Sequence, residues 1–440
     1  MLRLLQPGIR LKRWLLIMLV GMLAFAIGFI LLTHHDGPFH YALWAVTNPL
    51  TGGEMPVAVP AATGAGFLVI SLFLVWFSLR KVVRVFAQAA AGNPNGATKD
   101  LVQVLVDRRP SAPRLRVVGM GGGTGLSTLL RGLKEYPVAL TAVVTVSDDG
   151  GSSGRLRGDL DMPPPGDIRH CLTALAEAEP LMERLFHHRF AVDGTELNGH
   201  SLGNLIIAGL QEITGDFQQA ISEASRVLAV RGRVLPSTNR PLVLKAVMAD
   251  GHEVVGETAI TGCGGVIREV ALTPPDAAPL PDTLEALEEA DVIIVGPGSV
   301  YTSLLPNLLI PGVVEALIAS PAIKIFVCNV MTQPGETDGF TAARHLDVVL
   351  EHLPCENPFH YAVVNLQRPP QEVMAVYEQR GQRFVEPDLA RLRALGVTPL
   401  TAALLADLHL ARHDPDKLAR CILEHVAREA CWPKLLKRRK

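Results

Sequence analysis

Residues Leu115 to Arg157, LRVVGMGGGTGLSTLLRGLKEYPVALTAVVTVSDDGGSSGRLR, decide how this chain folds. Leu115 to Met120 is a short apolar run of strand type. It breaks into Gly121, Gly122, Gly123, Thr124 and Gly125, after which Leu126, Leu129, Leu130 and Leu133 recur at helical spacing. The pattern is strand, glycine turn, helix. A turn without Cβ atoms lets backbone N–H groups approach an anion, and the helix N-terminus adds a partial positive charge, so a phosphate is expected there. A second strand, Leu140 to Val146, delivers Ser147, Asp148 and Asp149 and then a glycine-serine loop, Gly150 to Gly154, that contains Ser152 and leads to Arg155. Ligands of open parallel α/β sheets sit at this carboxyl edge.

A glycine turn by itself often reflects tight packing, and the dinucleotide fingerprint is imperfect because Thr124 stands where its third glycine would fall. A P-loop is excluded, since no Gly-Lys-Ser/Thr is present. The second loop, with two carboxylates and Arg155 beside it, moves the reading to phosphate or nucleotide binding.

The whole chain has 440 residues and a net charge of −2, which gives no global signal for nucleic acid. Its positive mean hydropathy comes from two segments, Trp14 to Leu32 and Val57 to Leu79. As helices rising about 1.5 Å per residue, each is expected to cross a hydrocarbon core about 30 Å thick. No small-x-small cleavage site follows the first, which favours a retained hairpin over a signal peptide. Arg3, Arg10, Lys12 and Arg13 precede the first span and Arg80, Lys81 and Arg84 follow the second. The loop from Thr33 to Pro56 has neither Lys nor Arg, so both termini are expected in the cytoplasm. This divides the chain into a membrane hairpin (1–84), a linker (85–113), a nucleotide-binding domain (114–430) and a basic tail (431–440) with Lys434, Lys437, Arg438, Arg439 and Lys440. The six cysteines show no paired metal spacing and are expected reduced.

Further along, Asp167 is placed to cap a helix whose apolar face is Ile168, Cys171, Leu172 and Leu175. A second loop-to-helix junction spans Asn198 to Asn204, with Leu205, Ile206, Leu210 and Ile213 as its expected buried stripe. His200 and Asn204 are candidates to hydrogen-bond a ligand, although single residues of these types are more often structural. Two alternating runs about Asp250-Gly251 predict an antiparallel hairpin beside the main sheet. Val292 to Val295 reads as a buried parallel strand that ends in a loop with Gly298, Ser299 and Tyr301. The Tyr301 ring offers a surface for stacking, its ordinary alternative being a packing role. Ile323 to Cys328 is one more such strand and runs into Asn329 to Asp338. Four strand ends with polar, glycine-containing loops imply a crevice.

The ordered series GGGTGLSTLLRGLK, SDDGGSSGRLR, PPGDIRHCL, GHSLGNLIIAGL, GPGSVYTSLLPNLL and CNVMTQPGETDGF resembles the bacterial gluconeogenesis factor family, uridine-diphosphate-sugar-binding relatives of 2-phospho-L-lactate transferase. The likeness runs from about Arg114 to about His425. It implies a Rossmann-like CofD-type fold, which with the strand and hairpin patterns above gives an α/β chain with a mostly parallel sheet and a β-hairpin lobe. It also implies binding of UDP-N-acetylglucosamine and a regulatory role in cell shape and envelope synthesis during gluconeogenic growth. By that resemblance, Gly121 to Gly125, Asp148, Asp149, His200, Asn204, Gly298, Ser299 and Tyr301 would line the crevice. The two-helix transmembrane hairpin is a departure, because many family members are wholly soluble.

Two function classes follow. The first is a non-catalytic nucleotide-sugar sensor that needs no cofactor and is tethered to the membrane, with proteins of peptidoglycan synthesis and a second copy of the chain as expected partners. The second is a transferase moving a phospholactyl group onto a deazaflavin alcohol, with Asp148 or Asp149 holding Mg²⁺ or acting as base. An NAD dehydrogenase is a weaker third because of the broken glycine fingerprint. The MTQPGETDG segment resembles the sensor branch more than the transferase branch.

Overall fold

The computed structural model describes residues 11–33, 45, 58–91, 115–177, 180–407 and 410–429. The loop between the two apolar segments (residue 45 apart), most of the linker, the basic tail and Cys431 lie outside the described residues. The chain divides into two units, Met1–Pro113 and Arg114–Lys440.

In the first unit the helices Leu11–Thr33 and Ala58–Ala91 pack against each other. Small residues make this approach close: a Cβ on Gly28 would lie 2.9 Å from the Gly64 carbonyl oxygen and from the Phe67 Cβ. Ser71 and Ser78 are buried and donate to the Leu68 and Val75 carbonyls of their own helix, whereas Leu23, Phe25, Val69, Ile70, Leu72 and Phe73 face outward. Two spans were expected. Among the described residues one helix, Ala62–Arg80, is long and apolar enough to cross a membrane, and the apolar stretch of the first, Ile17–Ile30, is shorter.

The second unit contains, in chain order, β1 (Arg116–Gly121), β2 (Ala139–Val144), β3 (Arg233–Pro236), β4 (Val243–Met248), β5 (Glu253–Val255), β6 (Ile267–Thr273), β7 (Val292–Val295), β8 (Ile323–Val327), β9 (Tyr361–Asn365), β10 (Thr398–Ala402), β11 (Leu405–Asp407) and β12 (Leu410–His413). Seven of these form one sheet in the order β10-β9-β8-β7-β1-β2-β3, and every pair in it is parallel. Strands buried on both faces read as continuous apolar runs, and all four residues of β7 are buried. The strand order reverses between β1 and β7. That is the switch point at which open α/β sheets form a crevice.

The helix after β1, Gly123–Leu133, buries the expected Leu126, Leu129, Leu130 and Leu133. It packs against the helices Gly166–Leu175 and Pro415–Glu429. The predicted hairpin is β4 with β5, and β6 joins β4 on its other side to complete a three-stranded antiparallel lobe. One expected stripe is corrected at its end. Leu205, Ile206 and Leu210 of the helix Leu202–Thr214 pack on the core as expected, with Ile207 and Ala208 buried beside them, but Ile213, in the last turn, is 82% exposed. The described cysteines are all free thiols.

Candidate functional site

A cavity of about 510 Å³ opens at the carboxyl ends of β1, β2, β7 and β8, within the size range of small-molecule sites. Its floor is the glycine turn. Gly123 has φ +59°, a conformation that costs a residue with a Cβ, and a Cβ on Gly125 would stand 2.3 Å from the Pro297 carbonyl oxygen. The loops after β1 and β7 therefore touch backbone to backbone across the switch point. No side chain caps the Gly123–Leu133 helix from its N-cap residue, Gly122. Its first turn is thus available to an anion, with one internal competitor, the Asp167 carboxyl, which points at Gly122 and Gly123.

This corrects the role expected for Asp167. It lies inside the helix Gly166–Leu175, whose N-cap is Pro165, and its carboxyl points to the glycine turn instead of closing its own helix. Burial, then the nearby Asp148 charge, raise its pKa from 3.8 to about 7. Three more carboxyls accompany it on the cavity wall, namely Asp148, Glu257 and Glu336. Burial, followed by Asp148, Asp167 and Glu336, raises Glu257 to about 9, and burial also raises Glu336. The Glu336 carboxylate accepts from the Ser299 hydroxyl, and Ser299 caps the wide π-helical turn Val300–Leu304 by accepting from Thr302. Asn329, in the loop after β8, clamps Gly298, accepting from its N–H at 3.0 Å and donating to its carbonyl at 2.8 Å.

Gly122, Gly123, Thr124, Gly125, Asp148, Gly298 and Ser299 line the cavity as expected. Gly121 ends β1 just beneath it, its carbonyl accepting from Asn307. Asp149 turns away and accepts from both the backbone N–H and the hydroxyl of Thr258, at 2.9 and 2.7 Å. Ser152, His200 and Asn204 form a buried cluster that is not part of the cavity lining. Ser152 Oγ accepts from Asn204 Nδ2 at 3.1 Å, which leaves its proton for His200 Nδ1 at 3.0 Å. Burial lowers the His200 pKa, consistent with a neutral acceptor. Asn204 in turn accepts from the buried Arg169, whose other donors meet Phe186 O, His187 and His170. Arg155 donates to the Asn198 carbonyl and so braces the same segment. The expectation that Tyr301 faces the crevice is also corrected. Its side chain is 2% exposed, with its hydroxyl toward Ile267 O and its ring edge-on to His352.

Of the far wall, only the Asn329 to Asp338 loop was anticipated. The wall consists of Met331 and Gln333, then Tyr377, Arg380, Gln382 and the β12 residues Ala411, Arg412 and His413. A small apolar cluster of Val330, Met331, Phe384, Leu405 and Ala411 holds this wall together, with Tyr377 packed on it. The signal was faint because β11 and β12 are short and separated in sequence from the strand ends they face. Among the described residues no group of three or more His, Cys, Asp or Glu converges closely enough to hold a metal ion, so no step is assigned to one.

Comparison with known proteins agrees with this architecture. The family described as 2-phospho-L-lactate transferase CofD matches residues 117–405. A gluconeogenesis factor of Halalkalibacterium halodurans is 52% identical over 310 residues, 70% of this chain and 95% of that protein. The gluconeogenesis factor of Bacillus subtilis is 50% identical over 70% of this chain and 97% of its own length. The chain belongs to the gluconeogenesis factor family, with a CofD fold. A crystal structure from Bacillus halodurans superposes with a TM-score of 0.69 at 50% identity, covering 71% of this chain and all of that one. A relative from Nostoc sp. is 40% identical over 424 residues, 96% of this chain, so the likeness also reaches into Met1–Pro113.

Proposed function

We propose that this gluconeogenesis factor binds a uridine-diphosphate sugar, UDP-N-acetylglucosamine, and acts as a regulator of cell shape and envelope synthesis during gluconeogenic growth. The observation that carries the reading is the layout of the cavity. A helix N-terminus built on glycine lies on one wall, and Tyr377 with Arg380 and Arg412 on the other. The first suits a diphosphate and the second suits a ring and a further anionic or carbonyl group. Between them the four carboxyls accept hydroxyl donors of a sugar. With Glu257 protonated and Asp167 partly so at neutral pH, the cavity also repels a diphosphate less than four charges would.

Calorimetric titration of UDP-N-acetylglucosamine into the purified chain tests this, with UDP-glucose, GDP and NAD as comparators. Saturable binding that prefers the acetylated sugar is expected. Equal or better binding of GDP would turn the assignment toward the transferase reading. In that case a phospholactyl guanosine-diphosphate donor and a deazaflavin acceptor should yield product, and Asp148→Asn should abolish product while sparing binding.

The same proposal places the protein at the membrane, with the hairpin spanning twice and the nucleotide-binding unit in the cytoplasm. Support comes from the apolar outer faces of the packed helices and from the Lys/Arg asymmetry around them. In intact cells a cysteine introduced at Gly52 should react with an impermeant maleimide. Labelling of the exposed Cys263 instead would reverse the orientation.

A further inference from the structure

β10 is the outermost strand of the seven-stranded sheet and pairs only with β9. Thr398 donates its N–H to His360 O at 2.9 Å, and the Ala402 carbonyl accepts from Leu366 at 3.0 Å. Backbone groups alternate sides along a strand, so residues 398, 400 and 402 serve β9, while 399, 401 and 403 face away from it. Pro399 has no N–H to offer, which is tolerated at an outward edge position. Thr401 and Ala403 are exposed, and among the described residues neither backbone has a hydrogen-bond partner. The Thr401 N–H and C=O thus form a pairing point for an additional strand.

Alongside this edge runs the helix Pro415–Glu429. It buries Leu418, Ile422 and Val426 and presents the opposite stripe, Lys417, Arg420, Glu424, His425 and Arg428. That stripe and β10 together line a cavity of about 390 Å³. Arg420 and Arg428 form no ion pair within the described residues; against Lys417, Arg420 and Arg428 stand Glu424 on the cavity lining and Glu429, 4.0 Å from His425, which leaves the stripe net basic.

We infer that the edge of β10 is a docking site for an extended, acidic segment of a partner protein. The segment adds to the sheet as an eighth strand, exchanging backbone hydrogen bonds with Thr401. Its acidic side chains, on alternate positions, face Arg420 and Arg428. Charge selects this occupant over a second copy of the chain. Two-fold pairing of β10 with itself would bring one basic stripe against another on the same face of the sheet.

The test uses the full chain in neutral detergent and a fluorescein-labelled synthetic peptide of alternating valine and glutamate, read by anisotropy, with the valine-lysine peptide as control. Saturable binding of the acidic peptide alone is expected, with slowed amide exchange at Thr401. Thr401→Pro should abolish it, and Arg420→Glu with Arg428→Glu should weaken it at least about tenfold. The charge reversal lies on an exposed helix face and guards against a folding artefact in the proline variant. Several results would overturn the inference: no saturable binding, binding that survives both variants, or loss on charge reversal with Thr401→Pro unaffected. The last describes a purely electrostatic surface that phosphatidylglycerol vesicles would occupy equally well. A dimer dissolved by Thr401→Pro would also overturn it, by assigning the edge to a second copy.

Discussion

Asp149 holds Thr258 by two bonds to one carboxylate oxygen, from the backbone N–H and from the hydroxyl. Thr258 stands in the first turn of the helix Glu257–Cys263, whose N-cap Gly256 has no side chain to cap it, so Asp149 performs that task from across the fold. The same bond carries Glu257 to the cavity wall. Asp149→Ala should destabilise the second unit by about 1–2 kcal/mol, the scale of a lost N-cap, and loosen the ligand site indirectly. Asp148→Asn removes a charge that raises Asp167 and Glu257, so it should not lower the melting temperature at neutral pH and should act on binding. Thermal unfolding of the two variants side by side checks the division of roles.

The raised carboxyls give stability an unusual pH dependence. Asp167 rises from 3.8 to about 7 and Glu257 from 4.5 to about 9, so the folded chain holds more protons than the unfolded chain within those windows. Where the native state binds more protons, stability falls as pH rises. The contribution is fully present below the unfolded values and is lost through the folded ones, at roughly 1 kcal/mol per pH unit for each group. Asp167→Asn should flatten the slope up to neutral pH and raise the melting temperature at pH 8, as Glu257→Gln should further into the alkaline range. A slope that steepens in Asp167→Asn would contradict the buried placement.

The fold was legible because its signals are local and repeated. Strand, glycine turn and leucine stripe over Leu115–Leu133 specify the first half-unit, and Val292–Val295 repeats it at the switch point. The near wall of the site followed from the same residues. What the pattern did not show is which way side chains turn. Asp148 and Asp149 are neighbours in sequence, yet successive residues of an extended segment face opposite sides, and only one reaches the cavity. Asp167 looked like a cap because its local context is a helix start, whereas tertiary packing aims it at Gly123. Tyr377 and Arg412 belong to surface elements with no motif to mark them, and Tyr301 drew attention through a glycine-rich neighbourhood that in fact buries it.

Contact between the loops after β1 and β7 makes Gly125 sensitive to the smallest addition. A methyl group there would meet the Pro297 carbonyl oxygen at 2.3 Å and its carbon at 2.7 Å, and both atoms belong to backbone that cannot swing aside. Gly125→Ala should cost about 1–3 kcal/mol in overpacking and weaken nucleotide binding by splaying the two loops. Gly123→Asp attacks the same floor differently, combining strain at φ +59° with a carboxylate where a phosphate would lie. Denaturant unfolding together with calorimetry separates them: Gly125→Ala is expected to lose stability first, and Gly123→Asp to lose affinity beyond what its stability loss explains.

The two tyrosines provide the sharpest separation between packing and recognition. Tyr301 is buried against His352 with its hydroxyl at the limit of hydrogen-bond distance from Ile267 O, 3.5 Å away. Tyr301→Phe should therefore change neither stability nor ligand affinity by more than about 1 kcal/mol, whereas Tyr301→Ala opens a core cavity at a cost of about 3–5 kcal/mol. Tyr377 lines the cavity on a helix, Gln371–Glu378, none of whose residues is fully buried. Tyr377→Ala should leave the fold intact but weaken UDP-sugar binding by about tenfold or more, through the loss of a stacking surface. Arg412→Ala should behave similarly, with an effect that shrinks as salt rises, because an exposed guanidinium on an anion is screened. Calorimetry on Tyr301→Phe, Tyr377→Ala and Arg412→Ala at two salt concentrations decides the matter. Full affinity in Tyr377→Ala with loss in Tyr301→Phe would return recognition to the buried ring and remove the far wall from the site.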